Sequence, residues 1–297
     1  MRNHYKILFF SLIVLSACSK EIELDKLDFD ATAEKTTLAL TDTAKFNFNG
    51  NPNYITFYSG EIGRRYEFRN RISDTSSNLQ LSFSTATTVA TNGSLTLQIS
   101  SNLSGAINAT SIAAATWTDI TNRAVLATGT ATVASGTVSL ADYAQQKKPV
   151  YIAFKYTAAA GAIQRRWTIT GLTLNHVLPD MTYTIANMTA TSPSLGWLGV
   201  DVKNTAVNWT TALVITGATT AATAVDTEDW IVMGPVDLSR VLPDVGTPIK
   251  TIAEGMDKFP LKYKYTAAGT YNAVFVASNV NRDAEESTVK TIGITVQ

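Results

Sequence analysis

Period-two alternation of apolar and polar residues recurs along almost the whole chain, and it restricts the fold to sheets. Leu95, Leu97 and Ile99 alternate with Thr96 and Gln98, and Val150, Ile152, Phe154 and Tyr156 take one face of residues 149–157. Successive side chains of a strand point to opposite faces, so each such run presents one apolar face to a core. Residues 45–49 alternate as well, Gly50-Asn51-Pro52-Asn53 supplies a turn, and residues 54–58 extend. Residues 271–278 are apolar on both faces, as a central strand requires, and Ile292, Ile294 and Val296 close the chain on one face. A helical period appears for no more than one turn, at residues 140–144. Only 16% of the chain is charged, too little to clothe the outer faces of many helices, while Thr, Ala, Val and Ser suit strands and small loops. The expected class is all-β.

The N-terminus reads differently. Arg2 and Lys6 precede an apolar run over residues 7–15, then Ser16, Ala17 and Cys18, the only cysteine. This is the layout of a bacterial secretory signal, and the run is about half the ~20 residues that a membrane-spanning helix needs. Leu15-Ser16-Ala17-Cys18 resembles the bacterial lipobox. That resemblance implies removal of residues 1–17 as a signal peptide and acylation of Cys18; the alternative is an ordinary secretory signal followed by a free thiol. Each buried methylene contributes ~0.8 kcal/mol, so several acyl chains make a nearly permanent membrane anchor. Residues 18–26 then form a tether. Its Lys20-Glu21-Ile22-Glu23-Leu24-Asp25 is similar to the export signal that sends Bacteroidota lipoproteins to the cell surface, although a plain solvated tether would look much the same. The expected place is the outer membrane, lipid-anchored and facing the exterior.

Charge and rare residues exclude several functions. The formal net charge is zero, and without Arg2 and Lys6 it is slightly negative, so no basic excess supports nucleic-acid binding. With Cys18 acylated, no disulfide can staple the fold. His176 is the single histidine after the leader, read as a loop residue; no G-x-S-x-G elbow, zinc ligand set or phosphate loop accompanies it. Carboxylates remain open, because a glycosidase needs only two. Glu61 is the best single candidate, against the plainer reading that it pairs with Arg64, Arg65 or Arg69. Arg65, Glu67, Arg69 and Arg71 would share one face of a strand, either as an acidic-ligand patch or as a solvated face with internal ion pairs.

Three resemblances bear on architecture. Tyr263-Lys264-Tyr265, Gly269 and Tyr271 reproduce the Y-x-Y-x-x-x-G-x-Y ending of PKD-type immunoglobulin-like domains, and residues 45–63 resemble their opening strands. In the middle, Trp117, residues 138–143, 150–156 and Trp167 follow an order similar to galactose-binding-like jelly rolls; the strand at residues 230–238 resembles their first strand but comes last. Phe46-x-Phe48-x-Gly50-Asn51-Pro52-x-x-Ile55-x-Phe57-Tyr58-Ser59-Gly60-Glu61-x-Gly63 resembles the signature of a Bacteroidota surface-lipoprotein family classed only as a domain of unknown function (DUF5017-like), over nearly all the mature chain. These resemblances imply a jelly-roll sandwich, residues 73–255, inserted into a split Ig/PKD-like sandwich made of residues 27–72 and 256–297.

Candidate sites follow from residue type. Asp226, Glu228 and Asp229 offer the oxygen ligands calcium prefers; a structural calcium is the one cofactor the chain suggests, with a plain acidic turn as the alternative. Asp42-Thr43-Ala44 fits a short Bacteroidota O-glycosylation sequon at Thr43. Trp197 lies in a Pro/Gly/Ser-rich stretch, where an aromatic ring can stack on a sugar or cover the rim of the core. The expected function is a non-catalytic glycan-binding module using Trp197 and Trp117, with Asp201 and Asn204 as hydrogen-bond partners. A SusC/SusD-type import complex is a partner such a module would serve. The alternatives are a structural or adhesive surface protein that binds macromolecules, and a carboxylate-dependent carbohydrate-active enzyme.

Overall fold

The structure is a computed structural model that describes residues 24–74, 78–88, 92–146, 148–189, 192–193, 196–256 and 260–297. Cys18, the leader and most of the tether lie outside the described residues. The chain is all-β, and its contacts divide it into two compact units, residues 1–66 with 245–297, and residues 67–244. The sequence placed these joints near 72 and 255. The first falls earlier because residues 68–74 bond to residues 239–244, through Asp74 N–H to Ser239 O and Asp244 N–H to Phe68 O; the second falls earlier because residues 247–250 pair with residues 55–57 of the first unit.

Four strands open the first unit: β1 (Phe29–Ala33), β2 (Thr37–Leu38), β3 (Ala44–Gly50) and β4 (Tyr54–Tyr58). The second unit begins with β5 (Asn78–Thr87), β6 (Ser94–Ser100), the short helix α1 (Ala109–Ala114) and β7 (Thr118–Asp119). It continues with β8 (Val133–Ala134), β9 (Val138–Ser139), the helical turn α2 (Ala141–Ala144), β10 (Val150–Ala158) and β11 (Arg166–Val177). It ends with β12 (Thr182–Thr189), β13 (Ser192–Pro193), β14 (Trp197–Lys203), β15 (Val214–Thr216) and β16 (Thr227–Val236). The chain returns to the first unit through β17 (Thr247–Lys250), β18 (Leu261–Tyr263), β19 (Gly269–Val280) and β20 (Glu285–Val296).

In the first unit, strands from the two ends of the chain pair. The order β17-β4-β19-β20-β2 forms one sheet and β1-β3-β18 another. Ile55 lies opposite Ala277 and Phe57 opposite Phe275. The alternation noted in the sequence supplies their shared core, in which the Phe275 ring meets Phe46, Phe48 and Phe57 with centroids 5.0 Å apart in each case.

The second unit is a sandwich of a five-stranded sheet, β14-β16-β10-β6-β7, and a sheet ordered β13-β12-β11-β5-β8 with β15 and β9 attached. Leu79, Leu81, Phe83, Leu97, Ile99, Ile152, Phe154, Trp167, Ile169, Leu174, Ile231 and Met233 fill the space between them. A smaller cluster lies on the other face of the five-stranded sheet: Ala153, Val200, Trp230 and Val232 beneath Leu103 and Ile112. The segment carrying α1 thus covers that outer face. β10 and β16 are therefore buried on both sides, which is why their sequences run apolar without clean alternation.

Residues 65–71 do not form the strand that the charge pattern suggested. Tyr66–Phe68 is a 3-10 turn, so the alternate residues of this stretch share no sheet face. His176 is also misplaced by the sequence reading. It belongs to β11 and is completely buried, its Nδ1 3.2 Å from the Arg240 carbonyl.

Candidate functional site

The five-stranded sheet of the second unit places its chemistry on two faces, and strand parity decides which residue lies where. On β16, Asp229, Ile231 and Met233 face the inter-sheet core, whereas Glu228, Trp230 and Val232 face outward. Glu228 accepts the Trp230 indole N–H at 3.0 Å and pairs with Lys155 at 3.3 Å. Burial opposes its charge, but the indole N–H and Lys155 outweigh that and hold its pKa below the ordinary value.

An open groove of about 630 Å³ lies at this end of the sheet, lined by Asn92–Leu95, Thr157–Ala159, Arg165, Trp167, Lys203 and Asp226–Glu228. Its walls are cross-braced. The Asn92 amide donates to the carbonyls of Ala159 and Ala162, the Ser94 and Thr157 hydroxyls bond at 2.8 Å, and Asp226 Oδ1 accepts the Ala160 N–H. The result is a rigid rim of hydroxyls, amides and charges of both signs.

Asp229 contrasts with Glu228, its neighbour in sequence. It is completely buried, and neither oxygen takes a bond from an N–H or a hydroxyl; its neighbouring polar group is the carboxyl of Asp201. Its direct cross-strand neighbours are Tyr156 on β10 and Asp201 on β14. Burial first, then the Asp201 carboxyl and Glu228, push its pKa up to about 8.

The residues expected to bind sugar do not form one site. Trp197 is no loop residue but the first residue of β14, opposite Met233. Its half-buried ring packs on the inter-sheet core, 6.0 Å from Phe154. Trp117 lies on the opposite face of the same sheet, with its ring 4.9 Å from Trp230 and its indole N–H donating to Ile112 O. Asp201 shares the face of Trp197 but sits four residues on, ~13 Å along the strand. Asn204, at φ 68°, donates to Thr227 Oγ1 at the strand's end. No tryptophan is exposed among the described residues, so a stacking shelf of indoles is not what the surface offers.

The proposed calcium ligands also separate. Asp226 and Glu228 both line the groove, whereas Asp229 points to the other side of β16. Among the described residues, no group of three or more Asp, Glu, His or Cys side chains could hold a metal ion. Thr43 is exposed beside Asp42, whose carboxylate accepts the Ala39 N–H.

Glu61, in the first unit, is a structural hub. Its carboxylate accepts the hydroxyls of Ser59 and Tyr263, and both the N–H and the hydroxyl of Thr266. Partial burial opposes its charge, but these donors hold its pKa below the ordinary value. Arg64, one of the partners the sequence suggested, bonds Thr247 at 2.6 Å. The tyrosines of the Y-x-Y-x-x-x-G-x-Y stretch pack beside the hub, Tyr263 edge-on to Tyr265 and Tyr265 stacked on Tyr271. The serine, glutamate and tyrosines of the two sequence signatures thus meet in one hydrogen-bonded cluster that fastens β4 to the β18–β19 connection.

The sequence reading missed the groove and the Asp201–Asp229 pair. Parity along residues 226–229 was the signal available, since adjacent residues of one strand cannot point the same way. The model of the family described as a domain of unknown function (DUF5017) matches residues 17–195. No curated protein and no solved structure matches the chain.

Proposed function

The chain belongs to the DUF5017 family, and from that premise we propose that it is a non-catalytic glycan-binding lipoprotein, anchored through Cys18 in the outer membrane and facing the exterior. The observation that carries this reading is the polar groove of the second unit. A rim of hydroxyls and opposite charges on braced strand ends matches the hydrogen-bonding edges of a polysaccharide, and its rigidity limits the entropy lost on binding. Lys203, exposed at the groove, is the side chain freest to reach a ligand. Recognition here works by hydrogen bonds and charge, with Trp197 and Trp117 supporting the sheet from within.

The groove's carboxylates also favour capture over cleavage. A glycosidase needs one protonated acid beside one carboxylate. Glu228 is held ionised by Trp230 and Lys155, and Asp226 is tied to Ala160. The carboxyl with a raised pKa, Asp229, does not line the groove and lies on the opposite face of β16 from Glu228.

Calorimetry of the mature chain against a panel of neutral and acidic polysaccharides tests the reading. Lys203→Glu should weaken the best ligand at least tenfold, with the melting temperature unchanged. Failure of every polysaccharide to bind, or undiminished binding by Lys203→Glu, would refute it. Cys18→Ala should release the protein from the membrane fraction, and protease added to whole cells should trim the wild type.

A further inference from the structure

Asp201 and Asp229 are directly opposed across β14 and β16, which puts their Cβ atoms ~5 Å apart on one face of the sheet. Asp229 is completely buried with no N–H or hydroxyl donor on either oxygen, while Asp201 is exposed. The surroundings offer Asp229 no neutralising charge. Tyr156, its partner on β10, gives its hydroxyl hydrogen to Arg165 O. Thr227, on the same face, gives its own to Val225 O. Lys203 stands opposite Glu228 and therefore shares the other face, where Lys155 also lies. A buried carboxyl that faces a second carboxyl and lacks donors must either keep a proton or hold something positive between the two.

We propose that Asp201 and Asp229 hold a divalent cation, calcium, between β14 and β16 at the end of the inter-sheet core. The donors are all oxygen, with no imidazole or thiolate, which selects a hard ion over zinc or copper. Two carboxylates supply up to about four of the 6–8 oxygens calcium takes, and water reaching the exposed Asp201 fills the rest. With only two acidic ligands the affinity belongs to the weak range of extracellular calcium modules, Kd ~10⁻⁴–10⁻³ M. The set differs from the one the sequence suggested, keeping Asp229 and replacing Asp226 and Glu228 by Asp201. It does not depend on what the groove binds.

The test is thermal unfolding of the mature chain in EDTA and in rising CaCl2, followed by tryptophan fluorescence, with MgCl2 as the comparison ion. All five tryptophans lie in the second unit, so the signal reports the unit that contains the site. A saturable rise in melting temperature of ~2–5 °C is expected from calcium, and it should vanish in Asp201→Asn and Asp229→Asn. In EDTA Asp229→Asn should be no less stable than the wild type, because its amide stands where the ion-free pair keeps a proton. If Asp229→Asn does not fold, Asp201→Asn, at an exposed position, decides alone. Identical melting of the wild type with and without calcium, or a calcium shift that survives Asp201→Asn, would overturn the proposal.

Discussion

Glu61→Gln isolates the charge of the hub in the first unit while keeping its shape. The carboxylate takes Ser59 and Tyr263 on one oxygen and both donors of Thr266 on the other. Glutamine keeps one oxygen, so one pair of hydroxyl partners must turn round to accept from its amide. Hydrogen bonds to a charged acceptor contribute ~1.5–3 kcal/mol and neutral ones ~0.5–1.5. Over this set the expected loss is ~2–3 kcal/mol at pH 7, a large share of the stability of a unit this small. The pH dependence fixes the mechanism. Glu61 has a lowered pKa in the folded chain, so its contribution is present in full above the unfolded value of about 4.3. It disappears as pH falls through the lower folded value. The gap between wild type and Glu61→Gln should therefore be open at pH 7 and close in acid, because a protonated Glu61 resembles the glutamine. Hydrogen exchange of peptides covering β3, β4, β18 and β19 measures the first unit directly. Tryptophan fluorescence, confined to the second unit, is the internal control. A gap below ~0.5 kcal/mol at pH 7, the size of an ordinary surface substitution, or one that persists unchanged in acid, would refute the reasoning.

Three further outcomes follow from the second unit. Trp197→Ala should cost ~2–4 kcal/mol by urea denaturation, because the ring packs on Phe154 and the core; a loss of glycan affinity with stability unchanged would restore it as a binding residue. Gly217→Ala should cost ~1–3 kcal/mol, since a Cβ there would come within 2.4 Å of Gln164 Cβ and 2.5 Å of the Tyr156 hydroxyl; a melting temperature equal to wild type would contradict that packing. Arg71→Met should cost ~3–5 kcal/mol, because it removes the cation 3.5 Å from Asp244, whose side chain is completely buried. Restoring most of that loss with Asp244→Asn in the same chain would confirm the ion pair as the cause.

The class was legible because alternation is a local signal. Leu95, Leu97 and Ile99 each lie on the core side of β6, where their spacing put them, and the helical turn foreseen at residues 140–144 is α2 at Ala141–Ala144. What failed depends on partners distant in sequence. Arginines three and four residues from Glu61 looked like its natural mates, yet Tyr263, 202 residues away, donates to it. Trp197 read as a loop residue because Pro193 and Gly196 precede it, but pairing with Met233 on β16 makes it a strand residue, and local composition carries no record of that pairing. Glu228 and Asp229 were grouped as one acidic turn. β16 in fact begins at Thr227, so strand parity sends the two carboxylates to opposite faces.

That division gives the functional argument its force. One strand carries a carboxylate held ionised beside a lysine and an indole, and next to it a buried carboxyl with nothing to accept from. Hydrolysis of a glycosidic bond would need both behaviours on the same side of the ligand, an acid to protonate the leaving oxygen and a carboxylate facing it. Here the backbone alternation puts Glu228 and Asp229 on opposite faces of the sheet, so the two carboxyls cannot flank one bond from the same side. Moving Asp229 to the face of Glu228 would require a one-residue slip of β16, which would also turn Ile231 and Met233 out of the core. The core therefore fixes the polarity of this strand. The groove retains charges of both signs, and the inward carboxyl is left opposite Asp201.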